Sequence, residues 1–181
     1  MSRIDIPTRD AAPAASQPLL DAVGKQLGVV PNLFRLAALS PAVLQGYIGF
    51  NAAMTKALDL KTRERIALAV AEVNGCDYCL SAHTYLGLNL AKIDDAEIAL
   101  NRVGASSDPK AHAAVRFAAQ VARARGQVGD ADLQAVRAAG WTDAQIVEIV
   151  AVVAENIFTN FLNNVAATDI DFPVVRAAAA A

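Results

Sequence analysis

The sequence contains little charge of either sign, few aromatic residues and only two cysteines. Charged residues make up 19% of its 181 residues, and 16 Lys and Arg are balanced by 18 Asp and Glu, for a formal net charge of −2. Because no cluster of Lys or Arg concentrates positive charge, we expect no nucleic-acid partner. The apolar fraction of 55% excludes intrinsic disorder for most of the chain. A chain of this length can bury a core without a disulfide scaffold.

Long apolar runs are also missing. The best candidate, residues 146–153, is interrupted by Glu148 and followed by Glu155 and Asn156. It falls short of the ~18 uninterrupted apolar residues that a membrane span requires. Residues 1–10 mix charged and polar side chains and contain no apolar signal core. We therefore expect a cytoplasmic protein with no membrane partner.

Apolar residues recur with a helical period, and the alternation typical of strands is nearly absent. Capping signals separate the apolar stretches and predict where helices start. The predicted starts are Ser16, Pro31, Pro41, Thr62, Cys76, Asp94, Pro109, Asp130 and Thr142. The third helix is expected to end near Leu58 and the last near Val165. These signals predict an all-α fold with an N-terminal arm (1–15), a single helical domain (16–175) and a disordered alanine-rich tail (176–181).

The candidate chemistry lies at Cys76 and Cys79. On a helix that begins at Cys76, Cys79 lies about 60° and His83 about 20° from it around the axis, so the three side chains face one way. Residues three apart on a helix have α-carbons about 5 Å from each other, which a disulfide can span. The free N–H groups at a helix start favour a thiolate. His83 could accept or return a proton.

This motif resembles that of the alkylhydroperoxidase AhpD/carboxymuconolactone decarboxylase family. The matching pattern is Glu64, then Asn74-Gly75-Cys76-x-x-Cys79-x-x-x-His83. The resemblance extends to the stretch 160–164 and to Thr168, Asp171 and Pro173, which are similar to the peroxidase-related branch. It implies an AhpD-like helical domain that assembles as a homo-oligomer. It also implies a thiol-dependent peroxidase that needs no cofactor.

The resemblance also implies a role for each matching residue. Cys79 would be the peroxidatic cysteine that reacts with the hydroperoxide substrate, and Cys76 the resolving cysteine that forms the disulfide. Glu64 and His83 would relay protons, and an external dithiol or disulfide reductase would reset the pair. Tyr78 stands between the cysteines where related enzymes carry a second His. A phenol with a pKa of about 10 relays protons poorly at neutral pH, but Tyr78 could orient a thiol by hydrogen bonding.

Other interpretations of the same residues stay open. The cysteines could be buried apolar side chains, or could bind zinc together with His83 and an acid, although only His112 remains as a further histidine. The pair could also act as a non-catalytic redox sensor. Family members that decarboxylate lactones lack the cysteine pair, so its presence argues against a lyase of that kind.

Two further patterns concern surfaces. Glu155, Thr159 and Asn163 form a polar stripe on an otherwise apolar helix. This stripe is either a solvated face or a polar seam at a subunit contact or beside the redox pocket. The apolar surplus of so small a domain also favours a homo-oligomer.

Overall fold

The computed structural model describes residues 2–178, and these form nine helices and no strand. The all-α prediction is confirmed. The helices are α1 (Gln17–Leu27), α2 (Asn32–Ala37), α3 (Pro41–Met54), α4 (Leu60–Val73), α5 (Asp77–Asn89), α6 (Asp95–Arg102), α7 (Pro109–Arg123), α8 (Asp130–Ala138) and α9 (Asp143–Ala166).

Side-chain caps fix the start of several helices where the sequence predicts them. A side-chain oxygen accepts a hydrogen bond from the backbone N–H three residues on at Ser40, Asp94, Asp108 and Thr142. Such a cap satisfies one of the N–H groups that a helix start leaves without a partner. Ser16 precedes α1 without capping it, because its hydroxyl donates instead to the carbonyl of Ala38.

The boundary between α3 and α4 differs from the prediction. The third helix ends at Met54 rather than near Leu58, and α4 begins at Leu60 rather than at Thr62. Asp59 explains the earlier start, because its carboxylate accepts hydrogen bonds from both the N–H and the hydroxyl of Thr62.

Helix α4 lies at the centre of the fold and packs against α5, α6, α7 and α9. Every side chain from Ile66 to Ala71 is almost fully buried. Ile66 and Val70 pack in a cluster with α7 and α9, whereas Leu68 and Ala71 pack in a second cluster that contains both cysteines. Glu64 lies on α4 just before this stretch and is therefore buried as well.

The N-terminal arm is attached to the end of α9. The backbone N–H of Arg3 donates to the carbonyl of Ala166 at 2.6 Å, and Ser2 and Asp169 form hydrogen bonds with each other. Arg35 in α2 also donates to the carbonyl of Pro7. The arm therefore lies against the helical domain.

Residues 169–178 form a segment, here named the C-terminal strap, that lies across α5. The N–H of Val175 donates to the hydroxyl of Ser81, and Arg176 pairs with Asp77 at 2.7 Å. Of the tail predicted to be disordered, residues 176–178 are thus bonded to the domain. Residues 179–181 lie outside the described residues.

In the described part of the chain, α9 is the one helix long and apolar enough to cross a membrane by length and composition. A core helix can pass the same test, and 44% of the qualifying window is buried inside the protein. The opposite face of α9 exposes an apolar stripe that consists of Val147, Val150, Ala154, Phe158, Phe161 and Val165. Part of the high apolar content of the sequence is therefore exposed on this face of α9.

A buried carboxylate, Glu97 in α6, ties α6 to the start of α7. It accepts hydrogen bonds from Ser106, from the N–H and hydroxyl of Ser107 and from Asn101, and lies 3.2 Å from the Arg65 guanidinium. Burial acts to raise the pKa of Glu97, but the hydrogen bonds from the two serines outweigh it and hold the pKa at about 2.

We expect Glu97→Gln to lower the free energy of unfolding by about 2 kcal/mol at pH 7, because an amide cannot accept all these bonds. A carboxylate with a lowered pKa stabilises the fold above its ordinary pKa of about 4.5, and this contribution is lost as the pH falls toward about 2. Urea unfolding between pH 7 and pH 3 measures both effects. Glu148→Gln, at a partly exposed position of α9, is the control. Equal stability of the two variants at pH 7 would contradict the prediction.

Candidate active site

The turn between α4 and α5 places both cysteines at the start of a helix. Gly75 adopts the left-handed conformation (φ 60°), and the N–H of Cys76 then donates to the carbonyl of Ala71. Cys76 becomes the N-cap of α5, and its sulfur accepts a hydrogen bond from the N–H of Cys79 at 3.3 Å. The positive end of the helix dipole thus lies against the sulfurs and favours a thiolate.

The two thiols are free, buried and in contact. Their sulfurs lie 2.7 Å apart, and Cys76 and Cys79 are 0% and 3% exposed. Hydrogen bonding to Cys79, burial and the charge of Cys79 all raise the pKa of Cys76. For Cys79, burial acts to raise the pKa, but the hydrogen bond from Cys76 and the charge of His83 lower it to about 7. Ionisation near neutral pH is therefore favoured at Cys79 over Cys76.

A histidine–carboxylate pair lies beside the thiols. His83 Nδ1 lies 2.8 Å from Glu64 Oε2, so the contact joins α5 to α4. Burial acts to lower the pKa of His83, but the Glu64 carboxylate outweighs it and raises that pKa. Because Glu64 occupies Nδ1, Nε2 is the nitrogen left to exchange a proton, one helical turn after Cys79. The structure thus brings together Glu64, Cys76, Cys79 and His83, as the sequence predicts.

The polar stripe of α9 forms the wall opposite α5. Glu155, Thr159 and Asn163 are 7%, 5% and 2% exposed, so the stripe is a buried seam rather than a solvated face. Asn163 Nδ2 donates to Cys79 Sγ at 3.4 Å, so the seam lies beside the cysteine pair. At the other end of the seam, Asn51 in α3 donates to Glu155 at 2.7 Å.

The structure places the side chain of Tyr78 against α2 and the strap. Its hydroxyl accepts a hydrogen bond from the N–H of Leu33 at 3.1 Å, and its ring packs edge-on against Phe172 of the strap. Adjacent residues on a helix point about 100° apart, so a side chain next to Cys79 faces a different neighbour. Burial also raises the pKa of Tyr78 further above neutrality. In the described structure the contacts of the Tyr78 side chain join α5 to α2 and to the strap, and a role for Tyr78 in orienting a thiol stays a prediction.

The strap contributes apolar side chains to the surroundings of the thiols. Ile170, Phe172, Val175 and Ala177 pack against the apolar cluster that contains both cysteines. Both thiols are thus almost completely shielded from solvent in this structure. The surface cavity of about 350 Å³ lined by Arg65, Lys110 and Trp141 includes none of the predicted site residues.

Sequence reasoning missed the roles of Asn51 and Asn74. Asn51 and Gln45 are the two amide side chains of the otherwise largely apolar helix α3, and that contrast was the only available signal for Asn51. Asn74 appeared as part of a helix stop, but its Nδ2 donates to Asn160 Oδ1 at 2.8 Å and so joins the turn before Cys76 to α9.

Within residues 2–178 no group of three or more His, Cys, Asp and Glu side chains is placed to hold a metal ion.

Comparisons with known proteins agree with this site. The model of the carboxymuconolactone decarboxylase family matches residues 41–124, which include both cysteines, Glu64 and His83. An uncharacterized protein of Haemophilus influenzae (strain ATCC 51907 / DSM 11121 / KW20 / Rd) is 53% identical over 45 residues, or 24% of this chain. That match spans 40% of the Haemophilus protein, so less than half of its length is matched.

Solved structures match over nearly the whole chain. An alkylhydroperoxidase AhpD core, an uncharacterized peroxidase-related protein from Ralstonia eutropha JMP134, has a TM-score of 0.83 at 26% identity and covers 94% of this chain and 92% of its own. A peroxidase-related protein from Silicibacter sp. TM1040 has a TM-score of 0.80 at 25% identity, with coverages of 93% and 91%. The debrominase Bmp8 shares the fold at 16% identity, with a TM-score of 0.76 and coverages of 94% and 90%.

The fold and the site define an all-helical protein of the AhpD type with a cysteine pair at a helix start. Over residues 41–124 the chain is similar to the carboxymuconolactone decarboxylase family, and over nearly its whole length it is similar to the two peroxidase-related structures of the AhpD type.

Proposed function

We propose that this protein is a thiol-dependent peroxidase that reduces hydroperoxides through Cys79 and Cys76. The observation that carries the proposal is geometric: two free thiols lie 2.7 Å apart at the start of α5, beside the His83–Glu64 pair. In this arrangement the pKa of Cys79 is lowered and that of Cys76 is raised. An attacking sulfur must be a thiolate, while a resolving thiol stays protonated until it is used. The AhpD-like family and the peroxidase-related structures support the same reaction class.

The reaction follows from the contacts. The Cys79 thiolate attacks the terminal oxygen of the hydroperoxide, the O–O bond breaks, and the leaving alkoxide takes a proton from the His83 imidazolium. Cys79 is now a sulfenic acid. Cys76 then attacks its sulfur and releases water, which leaves the Cys76–Cys79 disulfide. Glu64 fixes the His83 ring and stabilises its protonated form.

The disulfide needs an external reductant, and we propose a dithiol or a disulfide reductase as the partner. No bound cofactor is part of the proposal. We also propose that the protein is cytoplasmic and forms a homo-oligomer, which the exposed apolar stripe of α9 supports. Because Bmp8 shares the fold yet is a debrominase, the fold by itself does not fix the reaction.

The direct test is a thiol count after oxidation. Reduced protein treated with cumene hydroperoxide should lose both thiols and about two hydrogens in mass. Turnover should then continue when dithiothreitol is supplied in excess. Thiols that survive excess hydroperoxide would overturn the proposal. Oxidation that stops after one round in the presence of dithiol would instead favour a redox sensor, and metal found in protein purified without chelator would favour a zinc site.

A further inference from the structure

Two buried amide groups beside Cys79 each carry one polar atom without a partner. In the described part of the chain, Asn160 Nδ2 and Asn163 Oδ1 are buried and make no hydrogen bond. Asn160 is 0% and Asn163 2% exposed. A buried polar atom without a partner destabilises the fold, so two of them beside the Cys79 sulfur require an explanation.

The orientation of both amides is fixed by the atoms that do have partners. Asn160 Oδ1 accepts from Asn74 Nδ2 at 2.8 Å, which leaves the N–H groups of Asn160 turned away from the α4–α5 turn. Asn163 Nδ2 donates to Cys79 Sγ at 3.4 Å, which leaves its carbonyl oxygen free. Both amides act on the Cys79 sulfur and lower the pKa of that thiol. An amide nitrogen carries two hydrogens, so Asn160 can face Cys79 with one N–H and still offer the other, while Asn163 Oδ1 offers an acceptor.

This pattern is complementary to a hydroperoxide group. The terminal oxygen of ROOH carries the one hydrogen that can be donated, and both oxygens can accept. Building on the peroxidase proposal, we propose that Asn160 and Asn163 are the substrate-binding residues for the O–O–H group. Asn163 Oδ1 accepts the terminal O–H, and Asn160 Nδ2 donates to the inner oxygen.

The arrangement positions the substrate for the displacement. With the terminal O–H held by Asn163, the terminal oxygen faces Cys79 Sγ, and the S–O bond forms as the O–O bond breaks. The electron pair of the O–O bond stays on the inner oxygen, where Asn160 stabilises the growing negative charge until His83 supplies the proton. Sulfur is oxidised by two electrons to the sulfenic acid, which keeps the hydrogen of the terminal O–H, and the hydroperoxide is reduced to an alcohol.

A thiol reagent without an O–O–H group provides a control for the role of the two amides. A reagent that reacts with the thiolate but has no O–O–H group, such as iodoacetamide, gains nothing from the displacement step that Asn160 assists. The ratio of the rate constants for cumene hydroperoxide and iodoacetamide therefore isolates the role of the amides. Both reactions need the thiolate, so a shift in the pKa of Cys79 cancels from the ratio when both are measured at one pH.

The experiment measures this ratio in the reduced full-length protein for the wild type, Asn160→Asp and Asn160→Ser. We expect each variant to lower the ratio by about tenfold or more, since one donor to a developing oxyanion is removed. Asn160→Asp keeps the shape of the side chain but adds a charge, whereas Asn160→Ser adds no charge but shortens the side chain. An effect shared by both variants is therefore due neither to the charge nor to the change in shape alone. Asn164→Asp is the matched control. Asn164 Nδ2 also donates to Asn74, at its backbone carbonyl oxygen, but Asn164 is exposed. This control variant should keep the wild-type ratio.

The outcomes separate the two proposals. A ratio within twofold of the wild type in both Asn160 variants would overturn the substrate-binding role and leave the peroxidase proposal standing. A wild-type protein that iodoacetamide alkylates but hydroperoxide does not oxidise would overturn both. A loss of helical circular dichroism in both Asn160 variants, with an unchanged ratio in Asn163→Ser, would assign the amides a folding role and overturn the inference.

Discussion

Replacing Cys79 by Ser is expected to abolish hydroperoxide reduction, and replacing Cys76 by Ser is expected to stop it after one step. Cys79 is the thiol that ionises near neutral pH, so its loss removes the nucleophile. Cys76→Ser keeps the attack but removes the second thiol, and the sulfenic acid formed on Cys79 persists. Mass spectrometry after dimedone treatment should show an adduct at Cys79 in Cys76→Ser and none in Cys79→Ser.

Each cysteine variant is the control for the other. Both thiols are buried in the same apolar cluster, so a general packing defect would affect both variants alike. Steady-state turnover with dithiothreitol should be absent in Cys79→Ser. A dimedone adduct at Cys76 in that variant, or full turnover without Cys79, would show that the roles of the two sulfurs are reversed.

Replacing Glu64 by Gln is expected to raise the pH midpoint of Cys79 alkylation from about 7 by about one unit. The carboxylate of Glu64 raises the pKa of His83, and the imidazolium lowers the pKa of Cys79. A glutamine keeps a hydrogen bond to Nδ1 but no charge, so His83 loses its proton at a lower pH and stabilises the thiolate less. At pH 7 a smaller fraction of Cys79 is ionised, and hydroperoxide oxidation should slow several-fold.

The pH profile of iodoacetamide alkylation between pH 5 and pH 10 measures this shift. Glu72→Gln is the matched control, because Glu72 lies on the same helix but pairs with Arg102 at 2.6 Å. Its midpoint should equal that of the wild type. A midpoint in Glu64→Gln that does not move would mean that the histidine–carboxylate pair does not set the ionisation of Cys79.

The part of the site that could be predicted from sequence is the part encoded locally. Cys76, Cys79 and His83 lie on consecutive turns of one helix, so helical spacing alone places them on one side. Glu64 comes from the preceding helix, and spacing did not single it out. The family motif did, and the ion pair with His83 then confirmed the contact.

The other half of the site depends on packing between distant segments. Asn163 reaches Cys79 across 84 positions of sequence and Asn160 meets Asn74 across 86. Local periodicity marks such residues as polar in an apolar helix but cannot name their partners. For Tyr78 the sequence shows the position between the two cysteines but not the hydrogen bond that its hydroxyl accepts from Leu33 in α2. Asp59 displaced a predicted helix start by offering a stronger cap than the sequence pattern indicated.

Trp141, the only tryptophan of the chain, lies just before α9, with its indole N–H bonded to the carbonyl of Lys110. Asn163, which touches Cys79, is near the other end of the same helix, roughly 33 Å away at 1.5 Å per residue. Intrinsic fluorescence therefore reports on the packing of α7 against α9 and is remote from the sulfurs. A change in Trp141 emission on oxidation would show that oxidation of the thiols alters the packing at the far end of α9. Unchanged emission would make Trp141 fluorescence a probe of unfolding alone.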